Sequence, residues 1–432
     1  MDKVTRLTAE QEAVRNLPIE GRFVVTGPPG TGKSLLAVLR ASKILASGQP
    51  LLLLSKNVPL NCHLRESIAP ALAGIESISD FVGDAETFIR TYDSFSSKLW
   101  WKIPKAVGIR YSGQYDKGPM LPGDESYGYD WVTATSDILA KLDPLDTEEA
   151  RNLLGVPKNI LIDEGQDLPS GFFRFITMID CNVTVFADEN QMIRPNMSQI
   201  KDIREAMFIT MNKGFEYQVK KNWRNTKQTA EIAGHFYVGL ETGIPELPDK
   251  VGPKPSVVGF DNLHNLAEVI VSLAQRKRGA AVGSGPSVGV IVFATDRRLK
   301  ELQLTLEQVA ERESEDEDQV DVRRYDSKGF KDEPFVFDTP ESVTIVTPLT
   351  MKGLEWDNVV VVLDNLVLKD SPEQKIVQLM QCYVAASRPR NRLLIAWTGK
   401  VNDGSHVPPI AISGLLEKPY DEKIEKEWKN GK

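Results

Sequence analysis

Arg22-Phe-Val-Val-Thr26-Gly27-Pro-Pro-Gly30-Thr31-Gly32-Lys33-Ser34 is an apolar run that passes into a glycine-rich turn and ends in a Lys-Ser pair. The spacing predicts a strand over 22–26 and a helix over 34–46, with the turn between them. A turn in that setting lets the backbone N–H groups of Gly27, Gly30, Thr31 and Gly32 close around phosphate oxygens. The helix N-terminus adds its partial positive charge. Lys33 would reach the β- and γ-phosphates of ATP, and Ser34 would ligate Mg²⁺. This one stretch predicts a parallel α/β domain built around a nucleotide.

Further along, Ile160-Leu-Ile-Asp163-Glu164 is a second apolar strand, and it ends in two acids. Asp163 at the strand tip would hold Mg²⁺ through water, and Glu164 would orient or deprotonate an attacking water. An acid pair after a strand is by itself more often a helix cap or a surface turn; the upstream phosphate turn reverses that balance. Strands over 51–55 and 183–187 extend the sheet. From about Tyr217 a second alternation begins, with strands near Val257 and over 288–293, 343–347, 359–363 and 393–397, and helices over 263–275 and 374–387. A Gly-, Pro- and Tyr-rich piece inside residues 98–157 reads as an insertion in the first domain. Residues 276–287 read as a loop, and the acidic run 311–321 as a solvated helix end or mobile loop.

Composition bounds the class. Hydrophobic residues make up 41% of the chain and charged ones 26%, with no apolar run long enough for a bilayer. No apolar signal core follows the first residues, and Cys62, Cys181 and Cys382 show no paired spacing, so the expectation is a reducing cytoplasm without membrane or disulfides. The net charge of −8 argues against a protein that coats duplex nucleic acid, which should be basic. It leaves room for a narrow positive track.

Beyond these two segments, short motifs fall in order along most of the chain. Leu7-Thr-Ala-Glu-Gln11 resembles a Q motif, and Asp163-Glu-Gly-Gln-Asp167 resembles Asp-Glu-Ala-Gln-Asp with Gly165 as a departure. Asp188-Glu-Asn-Gln191, Asn222-Trp-Arg224, Thr350-Met-Lys-Gly-Leu-Glu355-Trp and Tyr383-Val-Ala-Ala-Ser-Arg388 are similar to motifs III to VI of superfamily 1 helicases of the UvrD/Rep group. The resemblance implies two RecA-like P-loop NTPase domains with parallel sheets, residues 1–214 and 215–432. It also implies that the large accessory domain of the second is absent or vestigial. It implies an ATP-dependent translocase or helicase on single-stranded DNA, moving 3′ to 5′. Within it Gln11 reads the adenine edge, Gln191 senses the γ-phosphate, Glu355 lies near the ribose, and Arg224 and Arg388 stabilise charge on the γ-phosphate, each against the alternative of a surface salt bridge.

The strand contacts implied are Ser55 and Asn57, Tyr92 and Ser94, and Arg194 with Trp223 as stacking groups. Helix capping by Asn57 and Ser94, core packing of Tyr92 and a buried Trp223 are the competing readings. Tyr111, Tyr115, Tyr127, Tyr129 and Trp131 form another possible platform, against a role in pinning a loop. Two rivals to the motor stay open: an RNA-acting helicase, and a nucleic-acid-stimulated ATPase switch or regulatory subunit that triggers a nuclease or signalling partner; for the motor itself a protein partner such as a nuclease or clamp is possible.

Overall fold

A strand whose every residue is apolar needs cover on both faces, and the apolar runs of the first half obtain it from helices on each side. A computed structural model describes residues 7–56, 58–72, 88–108, 130–142, 145–193, 198–209, 215–275, 283–313, 320–325, 336–364 and 371–398. The chain divides into two units, Met1–Lys220 with Leu240–Gly243, and Lys221–Gly239 with Ile244–Lys432.

In the first unit α1 (Ala9–Arg15) precedes β1 (Arg22–Thr26), α2 (Lys33–Ala46), β2 (Leu51–Ser55) and α3 (Val58–Leu72). Then come β3 (Ile89–Thr91), α4 (Tyr92–Val107), α5 (Trp131–Leu142), α6 (Thr147–Leu154), β4 (Asn159–Ile162) and α7 (Ser170–Met178). β5 (Asn182–Ala187), α8 (Ile200–Ala206) and β6 (Glu216–Gln218) complete it. Its six strands are parallel in the order β3-β2-β4-β5-β1-β6, so the carboxyl ends of β1, β4 and β5 lie along one edge. Alternate residues supply opposite cores. Leu52, Leu54, Ile160 and Ile162 face a cluster with α4 to α8, while Leu51, Leu53 and Leu161 face one with α1 to α3. Tyr217, expected to open the second domain, lies in β6 and pairs with Val25 of β1 in the first unit.

The piece read as an insertion is structural where it is described. Leu99, Trp100, Ile103, Trp131, Ile138, Leu142 and Leu154 join the first of those cores. Trp131 packs tilted against Trp100 at 4.9 Å and edge-to-face against Phe172 at 5.1 Å, and its indole N–H donates to the Tyr92 hydroxyl at 2.6 Å. Trp131 is therefore a core residue and not a stacking platform, because it is buried and its indole N–H is taken. Tyr111, Tyr115, Tyr127 and Tyr129 lie outside the described residues.

Leu240–Gly243 forms a strap on the first unit. Arg204 donates to both oxygens of Glu241, at 2.7 and 3.0 Å, and also pairs with Glu216. The Thr242 hydroxyl accepts the N–H of Glu189 at 3.1 Å, and Gln218 donates to the Thr242 carbonyl. The buried Glu189 carboxylate accepts N–H groups from Ile200 at 2.5 Å and Glu241 at 3.2 Å.

The second unit has α9 (Lys227–Gly234), β7 (Ser256–Phe260), α10 (Leu263–Ala274), β8 (Val288–Val292), α11 (Asp296–Glu313), β9 (Asp321–Arg324), β10 (Ser342–Val346), β11 (Trp356–Val362), α12 (Pro372–Ala386) and β12 (Pro389–Thr398). Its sheet is also six-stranded and parallel, in the order β7-β12-β11-β8-β10-β9. Both units are thus parallel α/β domains. The acidic run divides between the end of α11 and the start of β9, with 314–319 outside the described residues. Among the described residues no helix is long and apolar enough to cross a membrane.

Candidate active site

The glycine turn joins β1 to α2 on the edge where the strands end. A Cβ on Gly27 would lie 2.6 Å from Val219 Cγ2 and 2.7 Å from its carbonyl oxygen, so only glycine fits there. Gly32, with φ of +86°, caps α2 in the left-handed region. The Thr31 hydroxyl donates to the Pro28 carbonyl at 2.8 Å, and Lys33 Nζ donates to the carbonyls of Gly27 (2.6 Å) and Pro28 (3.1 Å). Gln11 is buried beside this turn. Its Nε2 donates to the Thr31 carbonyl at 3.1 Å and its Oε1 accepts the Thr8 N–H, so both ends of the amide serve the loop and the α1 cap.

Asp163 and Glu164 follow β4, held in place by Asp163 N–H donating to Leu54 O at 2.8 Å. Asp163 is fully buried, and its Oδ2 has no hydrogen-bond partner among the described residues. Burial pushes its carboxyl up to about 6, with the charge of Glu164 adding; the Ser34 hydroxyl hydrogen-bonded to it and the nearby Lys33 pull the other way. An orphaned carboxylate oxygen beside a hydroxyl is a donor set for a hard divalent cation, so these residues fit Mg²⁺.

Two positioning residues escaped the sequence reading although both lie inside quoted motifs. Gln166 Nε2 donates to Glu164 Oε2 at 2.5 Å, while its Oε1 accepts the Asp188 N–H at 2.9 Å. Asp188, at the end of β5, accepts Gln191 Nε2 at 2.8 Å and the Asn190 N–H at 3.0 Å. Burial raises its carboxyl above the ordinary range, and Lys33 and Gln191 oppose the shift. Glu164 and Gln191 are therefore joined through Gln166 and Asp188. The departure at Gly165 has a packing cause: a Cβ there would lie 2.2 Å from Val185 Cγ1. Gly165→Ala is expected to cost about 1–3 kcal/mol of stability through overpacking. Urea unfolding checks this, and an unchanged midpoint would show that Val185 moves aside freely.

The strand residues fare unequally. Ser55 is buried and its hydroxyl donates to Asn61 Oδ1 at 2.5 Å. Tyr92 is buried against Phe172 and accepts from Trp131. Both hydroxyls are thus engaged inside the first unit. Ser94 is exposed, and its N–H donates to the Thr91 hydroxyl that caps α4. Asn57 and Arg194 lie outside the described residues.

In the second unit Trp223 is half exposed, with Lys221 Nζ 4.9 Å from its ring centre, which excludes the buried reading. Asn225 Nδ2 donates to the carbonyls of Ser387 (3.1 Å) and Pro389 (2.6 Å), fastening the Asn222-Trp-Arg224 turn to the end of α12. Arg224 Nε donates to Glu355 Oε2 at 2.5 Å. Arg388 is buried, donating to Val384 O, Leu354 O and Ser387 Oγ. Arg390, which the sequence reading passed over, donates to Glu355 Oε1 at 3.0 Å and to Asp338 at 2.9 Å. Burial works against its charge, yet Glu355 and Asp338 together raise its guanidinium above the ordinary value.

A family profile described as Schlafen group 3, DNA/RNA helicase domain, matches residues 21–388, most of the chain and every motif from the phosphate turn to Arg388. The chain belongs to this Schlafen helicase-domain family. That description gives a DNA/RNA helicase domain and does not name the UvrD/Rep group whose motif spelling the sequence resembles. Among solved structures the Schlafen helicase-domain chain is similar to the Pif1 helicase from Candida albicans, at 12% identity and a TM-score of 0.44, over 90% of this chain and 95% of that one. A search of curated proteins finds no match.

Proposed function

We propose that this chain is an ATP-driven translocase or helicase, of the compact UvrD/Rep kind in its motifs, that moves 3′ to 5′ along single-stranded DNA. The supporting observation is the assembly on one sheet edge of Lys33, Ser34, the unsatisfied Asp163 oxygen and Glu164, linked through Gln166 and Asp188 to Gln191, in a helicase-domain family. Asp163 and Ser34 are the residues that would hold Mg²⁺, which when bound neutralises charge on the β- and γ-phosphates. Lys33 binds those phosphates, Glu164 takes the proton of the attacking water, and Gln191 reports the γ-phosphate to the rest of the chain. Arg224 and Arg388 supply positive charge to the phosphoryl group in flight, and Ser94 and Trp223 contact the strand.

The test is ATP hydrolysis with and without single-stranded DNA. Turnover is expected to rise sharply with the strand, and strand affinity is expected to fall with salt by a log–log slope of roughly −0.7 per neutralised phosphate. Hydrolysis indifferent to every nucleic acid would remove the motor reading. Stimulation without movement would favour the regulatory ATPase that serves a nuclease or clamp. The family's description covers RNA as well as DNA, so single-stranded RNA belongs in the same assay; stimulation by RNA alone would move the substrate class.

Polarity is read by displacement of streptavidin from biotinylated oligonucleotides. Release from the 5′ end only is expected, and release from the 3′ end only would reverse the assignment. The motif likeness of Lys352-Gly-Leu-Glu355 and Asn222-Trp-Arg224 to the UvrD/Rep branch is what supports this direction.

A further inference from the structure

The turn Glu189–Gln191 is too short to hold itself. It is one turn of 3₁₀ helix, closed by Gln191 N–H donating to Asp188 O and Met192 N–H donating to Glu189 O, both at 3.1 Å. Bonds of this kind have poor geometry. Its middle residue, Asn190, is wholly buried, and neither polar atom of its side chain has a hydrogen-bond partner among the described residues. A buried amide left unmet is unfavourable, so the turn keeps this form because the residues around Asn190 are fixed from outside. Asp188 fixes the far end by accepting Gln191 Nε2 at 2.8 Å.

Glu189 fixes the near end, and two of its bonds go to the strap Leu240–Gly243 of the same unit. Its N–H donates to the hydroxyl of Thr242, 53 residues further along the chain, and its Oε2 accepts the Glu241 N–H. The strap therefore grips Glu189 by backbone and side chain at once. The strap is itself secured, with Arg204 on both oxygens of Glu241 and Gln218 on the Thr242 carbonyl. Thr242 is only 2% exposed, so water does not replace its hydroxyl.

We infer that the strap positions Gln191, with Thr242 as the positioning residue and the Arg204–Glu241 pair as its anchor. This rests on the nucleotide reading proposed above, in which Gln191 reports the γ-phosphate, and it adds a group that reading does not use. Thr242 acts through Glu189, whose peptide opens the turn that Gln191 ends. Without the hydroxyl the Glu189 N–H is buried with no acceptor, and a buried donor left unmet costs more than the bond itself is worth. The turn relieves this by shifting, and Gln191 shifts with it.

The experiment compares Thr242→Val, Thr242→Ser, Gln191→Ala and the Thr242→Val, Gln191→Ala pair in the full chain. For each, kcat and KM for ATP are measured beside calorimetric binding of ATPγS and ADP. Thr242→Val keeps the shape and loses the hydroxyl. It is expected to lower kcat roughly tenfold, the rate equivalent of one hydrogen bond. ATPγS binding is expected to weaken by a similar factor while ADP binding holds, since Gln191 answers to the γ-phosphate alone. Thr242→Ser, which keeps the hydroxyl, is expected to retain most of the function. The pair is expected to be no worse than Gln191→Ala, because Thr242 then steadies a side chain already removed.

Losses that multiply in the pair, or ATPγS and ADP binding that weaken together, would show that Thr242 only maintains the fold of the unit, and would overturn the inference. Glu241→Ala repeats the same cycle at a half-exposed side chain, so the outcome does not hang on Thr242→Val folding. Its loss is expected to be smaller, roughly threefold, as for an ion pair near the surface. Absence of ATPγS binding by the unsubstituted chain would instead remove the nucleotide reading, and a Gln191→Ala chain as active as the parent would remove the sensor role of Gln191. Both are seen before any strap variant is measured.

Discussion

Glu164→Gln is expected to cut ATP turnover by about 10²- to 10⁴-fold, the range a positioned proton acceptor contributes, while nucleotide binding persists. The substitution keeps the shape of the side chain and removes only its basicity. Glu164 sits in the left-handed region with φ of +57°, and Gln166 Nε2 fixes one of its oxygens at 2.5 Å. A carboxylate held from both backbone and side chain loses no freedom when it meets a water, which is the condition for efficient proton transfer. An amide at the same place still accepts from Gln166, so the link to Asp188 and Gln191 survives. The variant should then bind ATP and remain on single-stranded DNA without turning over. Single-turnover hydrolysis measured beside equilibrium binding checks both halves. Turnover at the parent rate would assign the proton acceptor elsewhere.

Lys33→Ala should fail earlier in the sequence of events. The Lys33 ammonium is buried against the turn, donating to the carbonyls of Gly27 and Pro28 at 2.6 and 3.1 Å. In the proposed function it is the charge the turn offers to a phosphate, and it opposes the rise of the Asp163 and Asp188 carboxyls nearby. Removal of a preorganised donor aimed at developing charge costs about 10²–10³ in rate even where binding survives; here binding is expected to weaken as well, taking hydrolysis to background. A nucleotide at about a hundred times its dissociation constant stabilises a protein by roughly 2.7 kcal/mol, and this thermal shift should vanish in the variant. A Lys33→Ala chain that hydrolyses ATP normally would place the phosphates at a different site.

The parallel sheets were legible because their strands are continuous apolar runs bounded by turns, and 51–55 and 159–162 fall where periodicity puts them. Three of the four edge strands were not. Ile89–Thr91, Glu216–Gln218 and Asp321–Arg324 are short or polar and are recruited by a neighbour rather than by their own pattern. The phosphate turn and acid pair could be read from spacing, since each is local in the chain. Burial could not: Ser55 and Tyr92 carry surface chemistry in their side chains, yet Asn61 and Trp131 satisfy them internally. Arg390 was passed over because nothing in its two-residue step from Arg388 announces three acidic neighbours brought from elsewhere in the unit.

The strap Leu240–Gly243 bears on how this protein comes to exist in the cell. Domains generally fold as units while the chain is being made, the N-terminal one first. Here the first unit is not complete when Lys220 has been synthesised. Glu189 still lacks the Glu241 N–H, its own N–H lacks the Thr242 hydroxyl, and Arg204 lacks the Glu241 carboxylate. The nascent chain must carry the whole of Lys221–Gly239, which belongs to the other unit, past the ribosome before the stretch around Gln191 is finished. Maturation of the two halves is thus interleaved in time, and a chain stalled between them leaves the Glu189 N–H and carboxylate short of their Thr242 and Glu241 partners.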